Sequence, residues 1–119
     1  MSWSDDVKAF HRKFGFPVRE YPVVPAEEEQ LLRMGLIVEE YEELLTAMGR
    51  KDLVGIADGA IDLIYVILGM LHTYGIDPAP VWEEVQKTNM RKEGGAKSPN
   101  GKLLKPPGWR PPNIRGALV

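Results

Sequence analysis

The sequence predicts an all-α protein of the four-helix-bundle type, with a short N-terminal helix and a proline-rich C-terminal arm, and three observations carry that expectation. The run Leu53–Leu71 holds no charge except Asp58 and Asp62, and at 3.6 residues per turn its apolar side chains cover nearly the whole circumference, as in a helix buried on every side. The stretch from Glu27 to Gly49 reads as a second long helix, which a short turn at Gly49 to Asp52 makes an antiparallel neighbour of the first. No segment of strand period is long enough to suggest a sheet.

The elements follow in order. SDDVKAFHRKFG, from Ser4, opens with a hydroxyl cap and early acids, spaces Val7, Phe10, His11 and Phe14 helically, and stops at Gly15. FPVREYPVVP carries Pro17, Pro22 and Pro25 and is expected as an extended connection draped over other helices. Glu27, Glu28 and Glu29 then occupy a first turn, where acids complement the helix dipole. The apolar run ends near Tyr74 and Gly75. Asp77 caps a further helix with Pro78 in its first turn, running to the stop at Gly94 and Gly95. Residues 96–119 are rich in proline and glycine and read as a non-helical arm or tail, in which KLLK pairs locally at most.

Composition narrows the function. The 119 residues make one domain, 1–119, small enough that its apolar faces call for a partner subunit. A net charge of −2, from 15 basic and 17 acidic residues, gives no overall case for nucleic acid or an anionic membrane. The absence of cysteine excludes disulfides, thiolate metal sites and cysteine nucleophiles. MSWSDDVKAFHRK presents acids at once instead of an apolar signal core, so a cytoplasmic protein is expected. Although Leu53–Leu71 is long enough to span a bilayer, two central aspartates would cost about 2.5 to 3.5 kcal/mol each. A soluble core helix is the expectation.

The acids carry the chemistry. Asp58 and Asp62, four apart, stack on one face, and ionised carboxylates in apolar surroundings are paired or bound to metal. In EEYEE, Glu39 and Glu42 turn towards the polar side near Gly35 and Thr46, whereas Glu40 and Glu43 share a stripe with Leu36 and Ala47. A solvated charged face is the plain alternative. If the two helices pair, four carboxylates meet at one locus, and their repulsion demands cations. Hard oxygen donors without histidine or cysteine favour Mg²⁺ or Mn²⁺.

Other motifs weigh less. His11 and His72 belong to neither HExxH nor ExxH and are expected to pack or hydrogen-bond. GAKSPNGK departs from a phosphate loop in glycine spacing, lacks Ser or Thr after its lysine, and follows no strand. Trp82, Val85, Asn89 and Lys92 share a helical face that ends polar, where Asn89 and Lys92 would reach a phosphate at the rim of the carboxylates. Lys102 and Lys105, near Trp109, would form a lid, though lysines on a tail are commonly plain surface. Trp3, Phe10, Tyr65 and Trp109 are the aromatic candidates for stacking on a base and are equally suited to a core.

EEYEE followed by DGAID in an apolar helix resembles the all-α nucleoside triphosphate pyrophosphohydrolases of the MazG and phosphoribosyl-ATP pyrophosphohydrolase superfamily, whose signature is EExxE followed by ExxD. Glu39, Glu40 and Glu43 match the first motif and Asp62 the last position of the second; Gly59 stands in place of its glutamate, with Asp58 one residue earlier. VxxFHxKFG, ADxxxDLxYV, TNMRK and GKLLKPPGW extend the resemblance, to a MazG-like subgroup, over nearly the whole chain.

The resemblance implies Mg²⁺-dependent hydrolysis of a nucleoside triphosphate between the α and β phosphates, in a homodimer or homotetramer. It implies Glu40, Glu43, Asp62 and Asp58 as metal ligands and Glu39 as the group that activates water or holds a second metal; Asn89, Lys92, Lys102, Lys105 and Tyr65, read above from their positions, are the expected substrate contacts. Phosphoribosyl-ATP pyrophosphohydrolase is the nearest alternative, and a helical bundle whose acids bind a basic partner is the alternative from another class.

Overall fold

Ser2, not Ser4, starts the first helix: its hydroxyl accepts the Asp5 N–H at 3.1 Å. Ser4 falls inside the first turn instead, its hydroxyl 3.2 Å from His72 Nε2. The structure, a computed structural model, describes residues 2–118, all-α with one isolated bridge. These divide into two units, Met1–Ile76 and Asp77–Val119.

The first unit holds α1 (Trp3–Phe14), α2 (Glu27–Gly49) and α3 (Leu53–Thr73). Helix α1 stops at Gly15, whose φ of 78° is one that a side chain resists. Helices α2 and α3 lie antiparallel, and three glycines of α3 set how closely. A Cβ on Gly55 would come 3.1 Å from that of Ala47, one on Gly59 would come 3.2 Å from Leu44 Cα, and one on Gly69 would come 2.6 Å from Arg33 Nη1. Residue numbers fall along α2 as they rise along α3.

Helix α1 packs on α3 through Val7 and His11, 1% and 2% exposed, and through His72 Nε2, which donates to Ser4 O at 2.8 Å. The connection from Gly15 to Ala26 is extended, as three prolines require. It is tied to the end of α3 by Arg19 N–H to His72 O, 3.0 Å, and Val23 N–H to Tyr74 O, 2.9 Å. The Arg19 guanidinium adds a bond to Thr73 O, 2.7 Å, and a two-pronged pair with Glu29 at 3.0 and 2.9 Å.

One expectation is corrected here. Helix α3 is not covered on every side by its own chain: Val54 is 81% exposed, and Ile61, Ile64 and Ile67 also reach the surface. The face towards α2 is filled by glycine, Asp62 and Val66, while bulky side chains face outward, because close backbone approach to α2 leaves no room for them.

The second unit starts with α4 (Pro78–Met90), capped by Asp77, whose Oδ1 accepts the Ala79 N–H at 3.0 Å. It ends four residues before Gly94, since the N–H groups of Arg91 and Lys92 turn back to Thr88 O and Asn89 O, three residues behind them. Lys97 and Leu103 then form a single antiparallel bridge, the local pairing expected of KLLK. The arm is anchored on α4 by Trp109 Nε1, which donates to Thr88 O at 2.8 Å, and by the Asn113 N–H to Glu84 Oε1 at 3.0 Å. It is not wholly without helix. After the last proline, Asn113 caps the one-turn α5 (Ile114–Ala117) through the Gly116 N–H, 3.1 Å.

Candidate functional site

The acids gather where α2 faces α3. The register that sets Leu44 against Gly59 and Arg33 against Gly69 brings Glu40 opposite Asp62. Glu40 is half-buried, and its Oε2 is closed off from solvent with no hydrogen-bond partner. Burial, then the charges of Glu43 and Asp62, a hydrogen bond with Glu43 and the charge of Glu39, hold the Glu40 carboxyl above the usual carboxylate range. Three acids therefore act on a fourth, and what relieves them is a proton or a cation.

The other acids are arranged around this pair. Asp62 is half-buried; Glu39, Glu43 and Asp58 are exposed. Glu43 is not enclosed in the apolar stripe with Glu40 but stands at its edge. Together with Glu39 and Glu42 it lines an open groove of about 630 Å³ that continues to Arg50 and Asp52. Asp58 stands apart from Glu40, because Gly59 takes the position against α2 and leaves Asp58 exposed on the flank.

Among the described residues, no three acids or histidines converge closely enough to hold a metal ion by themselves. Mg²⁺ does not require such a cage: it binds through one or two carboxylates and completes its octahedron with water and substrate phosphate oxygens. The orphaned Glu40 Oε2, with Asp62 opposite and Glu43 beside it, is a donor set of the kind that this ion takes.

Both histidines are packing groups, as expected. His11 Nδ1 donates to Pro17 O at 2.9 Å, which leaves Nε2 to accept from Arg33 Nη1 at 3.4 Å. Tyr65 is half-buried and meets Phe10 edge-on at 5.5 Å, and Phe10 stacks on Phe16 at 6.1 Å. Trp3, 63% exposed, shares a second cavity, of about 360 Å³, with Tyr65.

The remaining candidates belong to the second unit. Lys92 Nζ and Lys105 Nζ lie 5.3 and 5.1 Å from the centroid of the Trp109 ring, so two cations share one aromatic ring. Asn89 is exposed near the end of α4, and Lys102 is exposed beside the bridge.

The sequence reading missed Arg33, buried at 6% exposure. The signal was present: it is the lone cation of LLRMGL, two helical turns before Glu40 and on the same face.

A search of curated proteins finds no match to the chain. The family model of phosphoribosyl-ATP pyrophosphohydrolase matches residues 7–89, from Val7 in α1 to Asn89 in α4. That is more than half of the sequence, and the chain belongs to this family of the MazG-like all-α pyrophosphohydrolases.

Proposed function

We propose that the protein is a metal-dependent nucleoside triphosphate pyrophosphohydrolase, which cleaves a ribo- or deoxyribonucleoside triphosphate to the monophosphate and pyrophosphate. The observation that carries this reading is Glu40: a half-buried acid, with an orphaned oxygen, pressed by Glu43, Asp62 and Glu39. Such a cluster is costly to the fold and useful only with cations and phosphate.

Glu40, Glu43, Asp58 and Asp62 are the residues that would hold Mg²⁺, or Mn²⁺ in its place, with Glu43 coming from the edge and Asp58 from the flank of α3. When bound, the ion neutralises charge on the phosphate oxygens. Glu39, exposed in the groove, takes the proton of the attacking water. Tyr65 contacts the nucleoside, and Asn89, Lys92, Lys102 and Lys105 supply donors and positive charge to phosphate oxygens. Phosphoribosyl-ATP as substrate is the second reading, favoured by the family match; it uses the same bond cleavage and the same acids.

The protein acts as a homodimer or homotetramer in the cytoplasm, with no nucleic acid or membrane partner. Helix α3 is long and apolar enough to cross a membrane. Asp62 and the glycines packed on α2 favour instead a second copy as the cover of its outer face.

The test is a product assay on a panel of triphosphates, with Mg²⁺, Mn²⁺ or chelator. Metal-dependent release of pyrophosphate with the monophosphate, lost in Asp62→Asn, is expected. Turnover of phosphoribosyl-ATP alone would select the second reading, and turnover of nothing would leave a non-catalytic bundle.

A further inference from the structure

Arg33 is buried in a way that the phosphate chemistry does not use. Among the described residues it makes no ion pair, and its polar partner is the Nε2 of a neutral histidine, at 3.4 Å. A guanidinium withdrawn from water without a carboxylate is costly, and burial lowers its pKa. The ring of Phe16, 5.6 Å from Cζ, offsets only part of that cost.

The guanidinium lines a cavity of about 230 Å³ whose walls include Phe10, Phe16, Tyr65 and His11, with no carboxylate among them. Leu36 and Val66, each one helical turn from Glu40 and Asp62, also line it. Arg33 and Glu40 lie two turns apart on one face of α2, about 10 Å at 1.5 Å per residue. A nucleoside whose phosphates lie at Glu40 and Asp62 places its base at that distance.

Hydrogen-bond polarity selects the base. His11 commits its Nδ1 proton to Pro17 O and its Nε2 lone pair to Arg33, so the polar groups left to a ligand are the Arg33 guanidinium, which only donates, and Tyr65. Arg forms a two-pronged bond with the O6 and N7 acceptors of guanine; O2 and N3 of cytosine are an acceptor pair as well, whereas the amino group of adenine stands between its acceptors N1 and N7.

We infer that this cavity is the base subsite of the proposed hydrolase and that Arg33 favours bases with a carbonyl edge, guanine over adenine. The inference rests on the pyrophosphohydrolase reading, and its test separates the two.

On the full chain with Mg²⁺, kcat/KM is measured for dGTP, 7-deaza-dGTP, the triphosphate of 2-aminopurine deoxyriboside, dATP and dCTP, for wild type and Arg33→Gln. Binding of dGMP and dAMP is measured in parallel by calorimetry. Expected is a preference for dGTP over dATP of about tenfold or more, partly lost in each analogue that lacks N7 or O6. In Arg33→Gln the ratio falls towards one while pyrophosphate release persists. Equal rates for dGTP and dATP in wild type, or an unchanged ratio in a folded Arg33→Gln, overturns the assignment. If that variant does not fold, the analogues decide on wild type, and turnover of both as fast as dGTP ends the proposal. If no triphosphate is turned over, the hydrolase reading fails and calorimetry judges the subsite alone. Tighter dGMP than dAMP binding, weakened in Arg33→Gln, sustains it; equal or absent dGMP binding rejects it.

Discussion

Gly59 lies against the backbone of Leu44, where a Cβ would stand 3.2 Å from Leu44 Cα and 3.4 Å from its Cβ. This contact accounts for the missing glutamate of the second acid motif: a side chain here would wedge α3 away from α2. Gly59→Glu is therefore expected to destabilise the fold by about 2 kcal/mol or more, through overpacking and a buried charge. It should not raise activity. Thermal melts of the variant check the first point, and a melt matching wild type would mean that α2 and α3 are not packed at this position.

Glu40 and Asp62 make the opposite prediction for stability. The Glu40 carboxyl is held above its ordinary range, so the folded state binds its proton more tightly than the unfolded chain does. Stability from this group is greatest at pH below the unfolded value and declines as pH rises through the folded one. Glu40→Gln removes that decline, raises the melting temperature near neutrality and abolishes turnover; Asp62→Asn takes away a charge that presses on Glu40 and should also raise the melting temperature and abolish turnover. Mg²⁺ should raise the melting temperature of wild type more at pH 8 than at pH 5, because the ion and the proton compete for Glu40. An equal shift at both pH values would take Glu40 out of the ligand set.

These two pairs also show what the sequence disclosed. The pairing of α2 with α3 was legible in the short turn from Gly49 to Asp52, which brings Glu40 opposite Asp62, whereas the four acids expected at one locus are not gathered there: Glu43 and Asp58 are exposed. The burial of α3 was not legible, because a wheel counts apolar residues without knowing that the inner face would be given to glycine and the outer one to Ile61 and Ile64. Arg33 was passed over for a related reason: an arginine in a helix is ordinarily on the surface, and only the fold shows that Gly69 makes space for it beside His11. The cap at Ser2 lost to Ser4 in the reading because both are serines ahead of acids.

His11 gives the chain an acid-sensitive joint. Burial above all, together with the charges of Arg33 and His72, lowers its pKa, although its bond to Pro17 O opposes this. A group of this kind favours the fold while neutral, and stability is lost as pH falls from about 6.5 through the lower folded value. Around it lie Arg33 from α2, His72 from α3 and the Pro17 carbonyl from the connection, and none of these groups is a carboxylate. Protonation therefore sets an imidazolium against a guanidinium. Amide exchange across Trp3–Phe14 should quicken between pH 7 and pH 5 more than across α2, and His11→Gln should reduce the difference. Exchange in α1 that tracks α2 at both pH values would contradict this.

The exposed face of α2 predicts an assembly. Leu31, Met34, Val38, Tyr41, Leu45 and Met48 recur at alternating spacings of three and four, each between 46% and 58% exposed, along a 23-residue helix. On α3, Val54, Ile61 and Ile64 continue the same rhythm with Ala57 between them. That spacing forms a seam for knobs-into-holes packing, which a second antiparallel pair of the same kind would fill. Light scattering at micromolar concentration should give at least a dimer. Leu45→Lys decides whether the seam is the cause. A side chain on the surface of a monomer tolerates such a change within about 0.5 kcal/mol, so an unaltered melt and an unaltered mass would assign the association to another surface. A shift to monomer, with a lowered melting temperature that no longer rises with protein concentration as that of wild type does, would place Leu45 between subunits, because an interface adds stability by mass action that a surface residue cannot.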